Sequence, residues 1–287
     1  MLSGSKLSYC DLNIPVGPRC REVCEHAFKR LSLIFQRPAT WKTPKVGRAN
    51  GRSIICCSCC VHVLRGGGLL PPPKIDSWAQ ELLQKHPGCR VLQRLSVIFS
   101  DVSDLQAVLN GQANSKLFDI IAVIPTNHEA LQACIISTTL IFDIIAFDFE
   151  GPHWINKIRL NRSKGKVAAE KDVQFELSYA PSFNGDEPCE NMIYTANRLT
   201  EDVCTKKIKN IIIASGASKP AEVRSPKDVV SLGYLLGLDE TTTRLCLRNH
   251  AHRCVTKGDA RKHGKTWVAF IPSTTHPLPP TPAEINL

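Results

Sequence analysis

Between Arg90 and Gly151 the chain alternates three short runs rich in Ile, Val and Phe with two segments whose apolar residues recur at helical spacing. The runs are RVLQRLSVIFSD, FDIIAVIPT and TLIFDIIAFDFEG. The spaced segments carry Val102, Leu105, Val108 and Leu109, then Leu131, Cys134 and Ile135. Strands this short and apolar on both faces suit a parallel sheet, because each parallel connection needs a crossover and the crossover helices cover the sheet. The stretch therefore predicts β-α-β-α-β. Asp101 or Ser103, and Thr126 or Asn127, can accept the unpaired amide hydrogens of each first helical turn. Every strand then ends in a turn at its carboxyl end, where α/β folds carry their functional groups.

The same alternation extends on both sides. SYCDLNIPV predicts a strand stopped by the Pro-Gly-Pro turn, and a helix follows over about 19–31. IDSWAQELLQKHPG predicts a helix with Trp78, Leu82 and Leu83 inward. After the central stretch come an expected helix from His153 to Arg162, a short strand from Lys166 to Glu170, a strand at VQFELSYA, a helix within 186–205 and a buried strand at NIIIASGA. Ser225 followed by Pro226 is a strong helix start, and Asp239 caps another helix through Leu247. Seven or eight strands with alternating helices predict a single (β/α) TIM-like barrel over residues 1–271, and 287 residues leave little room beside a barrel of roughly 250. Residues 36–73 break the period and read as an irregular insertion in which only Ser53–Leu64 could be a strand. Residues 272–287 are expected to be a disordered Pro/Thr tail.

Composition decides between compartments and partners. No apolar run suits a signal peptide, and Asp143 and Asp148 interrupt the most apolar stretch, so neither secretion nor a membrane partner is expected. Thirteen cysteines, spread through apolar contexts such as Cys134, Cys204 and Cys246, favour a reducing compartment. Cys56, Cys57, Cys59 and Cys60 have zinc-knuckle gaps, but only His62 is near as a further ligand, so no metal is expected there. The net charge of +10 sits mainly in the first 68 residues, which hold 11 Lys/Arg against 3 Asp/Glu. The remainder is nearly neutral yet contains two basic clusters, Lys157–Lys171 and Arg244–Lys265, of a kind that binds phosphate backbones when it is not simply a solvated helix face.

Catalysis in a barrel needs converging groups at the strand ends. There the chain offers Asn13, Asp101, His128, Asp148, Glu150, Tyr179 and Ser215. A hydrolytic metal site needs several imidazoles and carboxylates, and only His128 could supply an imidazole. Asp148 and Glu150 share one side of their strand and Asp101 could join them, which keeps a stand-alone metal-dependent phosphoesterase as the rival reading. Capping of the following helices is the plainer role for the three.

At DLNIP, RVLQRLSVIFSD, FDIIAVIP, FELSYAP, NIIIASGA, SPKDVVSLGYLLGL and NHAHRCVTKGDARK the chain resembles the thirty-kilodalton-class protein subunit of ribonuclease P and ribonuclease MRP. The resemblance implies a barrel related to the PHP phosphoesterases but without their metal site. Where the PHP pattern is Asp-Leu-His-x-His, this chain has Asp11-Leu12-Asn13-Ile14-Pro15. It implies no cofactor and no catalysis by the protein. It implies a nuclear, nucleolar RNA-binding scaffold that supports 5' leader removal from precursor tRNA by the RNA subunit and binds a small ferredoxin-like subunit among others. A scaffold that contacts proteins alone is the remaining alternative. The basic clusters then become expected RNA contacts, through Arg159, Arg162, Lys164 and Lys166 in one and Arg248, Arg253, Lys257, Arg261 and Lys262 in the other. The chain departs from the family before FEL, where an Arg-Gly pair is replaced by Lys171-Asp172.

Overall fold

The structure, a computed structural model, describes residues 10–15, 20–32, 53–62, 80, 81, 84, 89–110, 116–150, 160–203 and 210–263. Among these, seven strands pair in chain order: β1 (Cys10–Pro15), β2 (Ser53–His62), β3 (Cys89–Phe99), β4 (Ile120–Pro125), β5 (Ile144–Ala146), β6 (Gln174–Ser178) and β7 (Ile211–Ala214). Every neighbouring pair is parallel. The helices are α1 (Cys20–Ser32), α2 (Val102–Asn110), α3 (His128–Ile136), α4 (Arg162–Glu170), α5 (Asp186–Arg198), α6 (Pro226–Leu235), α7 (Glu240–Leu245) and α8 (Ala251–His263). The expected caps form: Asn127 accepts the Ala130 amide at 2.7 Å, and Ser225 and Asp228 make a reciprocal capping box ahead of Pro226.

The sheet closes on itself between β7 and β1. The Gly216 amide donates to the Asn13 carbonyl at 2.9 Å, and the Ser215 amide donates to the Asp11 carboxylate at 3.0 Å. Gly216 has φ of 62°, and a Cβ there would lie 2.9 Å from the Ser178 Cβ, so the seam requires glycine on both counts. Burial raises the Asp11 carboxyl above its ordinary 3.8, although hydrogen bonds from Ser215 and Asn13 favour the anion. The native state then holds this proton more tightly than the unfolded chain, so between 3.8 and the raised value stability falls as pH rises. Urea unfolding of wild type and Asp11→Asn across that window is expected to show the wild-type advantage shrinking with rising pH. A constant difference would mean that the carboxyl is solvated in the folded seam.

Strand alternation separates two cores. Leu95, Val97, Ile121, Val123, Ile145, Phe175, Leu177 and Ile213 face outward onto the helices. Cys10, Leu92, Ile120, Ala122, Ile144, Ala146 and Ile212 face the barrel interior, where they pack on Ala251, Cys254 and Val255 of α8. Those three α8 residues lie at helical spacing on one face, so the final helix plugs one end of the barrel.

The chain is thus the α/β barrel its alternation predicts, with three local differences. Residues 53–62, the run at Ser53–Leu64 that could be a strand within the irregular stretch, do form the second strand, between β1 and β3, and end two residues earlier; the rest of 36–73 lies outside the described residues, as do 153–159, 272–287 and most of the helix expected around Trp78. Lys166–Glu170 is helix, not strand, because Asn161 caps α4 by accepting the Lys164 amide at 3.0 Å and Gly165 and Ala168 form a narrow buried stripe. The helix expected to stop at Leu247 continues through a π-helical turn, Cys246–His250, into α8. That turn carries the chain from the barrel wall to its floor.

Candidate nucleic-acid interface

The floor is built from a repeated sequence device. Asp119 and Asp143 stand immediately before β4 and β5, and Asp172 stands two residues before β6. Each of the first two carboxylates accepts an amide of the preceding strand: Asp119 from Gln93 at 2.8 Å and Asp143 from Ile121 at 2.8 Å. Facing them, α8 presents Arg253, Lys257 and Arg261 at four-residue spacing, one stripe of a helix, with Lys262 beside it. Arg253 pairs with Asp172 at 2.6 Å, Arg261 with Asp143 at 2.8 Å and Lys262 with Asp119 at 2.7 Å. The Lys257 ammonium donates to the carbonyls of Phe142, Lys171 and Asp172 at 2.8, 2.9 and 3.0 Å. Burial lowers its pKa from the ordinary lysine value while Asp143 and Asp172 oppose the shift.

Of the basic residues expected to contact RNA, four of the second cluster therefore have partners inside the protein, and only Arg253 among them is exposed beyond half. Arg248 is partly buried at the π-helical turn. In the first cluster Arg159 lies outside the described residues, while Arg162 and Lys166 are exposed and Lys164 half-buried on the opening turns of α4. Arg162 and Lys164 make no ion pair among the described residues, and Lys166 reaches Glu170 only at 3.8 Å, both side chains well exposed. Cations at a helix N-terminus are repelled by the macrodipole, which favours carboxylates there. α4 has no acidic residue in its first turn to offset these cations.

Halfway up the barrel, β3 and β6 turn charged residues inward. Arg94 and Glu176 are both fully buried and bonded at 2.5 and 3.1 Å. Arg94 Nε donates to Ser96 at 2.9 Å; Asn13 and Ser178 donate to Glu176 at 2.9 and 3.2 Å. Packed inside the barrel, Glu176 is committed to a guanidinium and two neutral donors. Reading the strand as apolar on both faces missed this pair. The signal was period two: Leu92, Arg94 and Ser96 share one face, and so do Gln174, Glu176 and Ser178.

At the mouth, Asp101 accepts the Ser103 amide at 2.8 Å and Asp148 the Glu150 amide at 3.2 Å, while Glu150 accepts from Asn184. His128 is the first residue of α3. Among the described residues no three His, Cys, Asp or Glu side chains are placed to share a cation. The turn after β6, Ala180–Phe183, brings Phe183 against Tyr179 edge-on at 6.2 Å, and the Arg224 guanidinium lies 4.8 Å above the Phe183 ring.

The fold is similar to that of a chain in the cryo-EM structure of archaeal ribonuclease P with mature tRNA, which it matches with a TM-score of 0.56 over 93% of this chain and 100% of that one at 12% identity. The chain belongs to the RNase P subunit p30 family, which it matches over residues 8–263, and so to the protein subunits of ribonuclease P. It is 28% identical to the mouse ribonuclease P protein subunit p30 over 66% of this chain and 67% of that protein. It is 27% identical to the Arabidopsis thaliana protein GAMETOPHYTE DEFECTIVE 1 over 88% of this chain but only 44% of that longer protein. The turn at Lys171-Asp172, where the resemblance led to an expected Arg-Gly pair, has a backbone that suits glycine. Asp172 has φ of 53°, a backbone position glycine takes without strain, and Lys171 places its ammonium on the Ile135 and Ser137 carbonyls at the end of α3.

Proposed function

We propose that this chain is a noncatalytic RNA-binding subunit of ribonuclease P that supports removal of 5' leaders from precursor tRNA. It holds RNA through phosphate contacts and leaves cleavage to the RNA subunit. One observation carries the reading: Arg162, Lys164 and Lys166 stand together on the opening turns of α4, whose first turn has no acidic residue to offset them. Cations displayed on the opening turns of a helix can be reached by a phosphate backbone, which they position without reading its sequence. Arg253 and Arg248 are secondary contacts in this reading, and Lys257, Arg261 and Lys262 fasten α8. The chain assembles with the ribonuclease P RNA, a small ferredoxin-like subunit and other subunits in the nucleus, and serves ribonuclease MRP as well.

The test is RNA affinity of the full chain across a salt series, beside Arg162→Ala/Lys164→Ala/Lys166→Ala. Wild type is expected to bind with a steep salt slope, and the triple variant to flatten it by about 2 to 3, close to one unit per lost phosphate contact. Hydrolysis is followed in parallel with added magnesium. Salt-independent or absent binding would leave a protein-only scaffold. Metal-dependent cleavage abolished by Asp148→Ala would overturn the proposal in favour of a phosphoesterase.

A further inference from the structure

Phe183 is 45% exposed, directly after β6, at the carboxyl end of the strands. An aromatic ring left half in water gains little from burial there, yet its position is fixed by several contacts. Tyr179, almost fully buried, meets it edge-on, and Ser182 donates to the Tyr179 carbonyl at 2.7 Å, pinning the turn. The Tyr179 hydroxyl accepts the Arg224 amide at 3.1 Å, which ties the segment after β7 to the same tyrosine. Gly216 packs against Ser178 and Pro181, so the two segments are held together at their roots. The exposed Arg224 side chain lies over the Phe183 ring and makes no ion pair among the described residues. Lys219, at 60% side-chain exposure, reaches its buried neighbour Glu222 only at 3.7 Å, so the segment after β7 that carries Arg224 displays a second exposed cation.

A flat aromatic face carrying a stacked guanidinium, fixed by its own supports, with a second cation on the guanidinium's own segment, matches the face of an unpaired nucleobase and the phosphate beside it. A paired base offers no free face, so the match is to single-stranded RNA and not to a helix. The location agrees. In a parallel barrel each helix runs back against its strand, so the N-terminus of α4 with Arg162, Lys164 and Lys166 lies at the same end as Phe183. We propose that Phe183 and Arg224 form a stacking site for one unpaired base of the bound RNA, with Lys219 on the adjoining phosphate. This rests on the RNA-binding reading above and adds to it the class of RNA element recognised.

The test uses the full chain with a single-stranded RNA oligonucleotide carrying one 2-aminopurine, and with the same oligonucleotide annealed to its complement. Wild type is expected to quench the 2-aminopurine in the single strand. Phe183→Ala should lose about tenfold in affinity for the single strand and little for the duplex, since stacking on an aromatic side chain is worth about that factor or more per base. Phe183→Trp should restore both affinity and quenching, and Arg224→Gln should weaken the single strand alone. Loss of equal size on single strand and duplex, or no loss on either with wild-type binding intact, overturns the stacking site and leaves the phosphate-contact reading standing. Absence of wild-type binding to both RNAs overturns the two together.

Discussion

Replacing Arg94 with leucine should cost about 3–5 kcal/mol of folding stability, because it leaves Glu176 fully buried with only Asn13 and Ser178 to answer its charge. Against a typical total of about 5–15 kcal/mol, that is enough to unfold much of the protein at physiological temperature. The cost comes from stranding a carboxylate, not from the net worth of the pair. A buried ion pair exchanged whole for apolar side chains of like volume is often close to neutral. Arg94→Met/Glu176→Met should therefore regain most of the loss, short of what Asn13, Ser96 and Ser178 forfeit as polar groups without their partners. Denaturant unfolding of the two single variants and the double gives the coupling directly. Additive single losses below about 1 kcal/mol would show that water reaches the pair and that the barrel interior is not dry.

Arg261→Leu is the second large effect. Asp143 is fully buried, and without Arg261 it keeps the Ile121 amide but no cation in contact. A loss of about 3–5 kcal/mol is expected, with faster amide exchange along α8. Gly258→Ala probes the same latch sterically. A Cβ there would fall 1.9 Å from the Asp119 carbonyl oxygen, so the helix has to lift, at about 2–3 kcal/mol. Folded Arg261→Leu should keep the wild-type salt slope for RNA, whereas the α4 triple variant should change that slope and leave stability nearly untouched. If Arg261→Leu flattened the slope at unchanged stability, the floor reading of this arginine would be wrong.

The contrast between the two basic clusters shows what a single sequence can and cannot convey. Both are runs of Lys and Arg on helical segments, and charge density alone treats them alike. What separates them is the position of FDIIA at 118–122 and again at 142–146, with KD at 171–172. These place an aspartate ahead of three successive strands, and the four-residue spacing of Arg253, Lys257 and Arg261 answers it. That correspondence joins residues more than 80 positions apart and becomes visible only once the barrel brings the strand starts into one ring. Arg94 and Glu176 were hidden for a related reason. Each sits in a run rich enough in apolar residues to look like a doubly buried strand, and the polar alternation that marks one face gains its meaning only when the sheet closes and that face becomes an interior. The barrel itself was legible because alternation of strand and helix is local, as are the caps at Asn127, Ser225 and Asp239. The second strand was legible only as a candidate, the run Ser53–Leu64, because the stretch on either side of it carries no period to fix its place in the sheet.

The plug comes from the far end of the barrel's sequence. As a ribosome extends the chain, all seven strands emerge before residues 251–263, so for that interval the barrel has walls and no floor. Asp119, Asp143 and Asp172 are then a ring of like charges without their cations, and the carbonyls of Phe142 and Lys171 face water. A chain cut before Ala251 would lack this floor for good, with no guanidinium or ammonium of the last helix to answer those carboxylates.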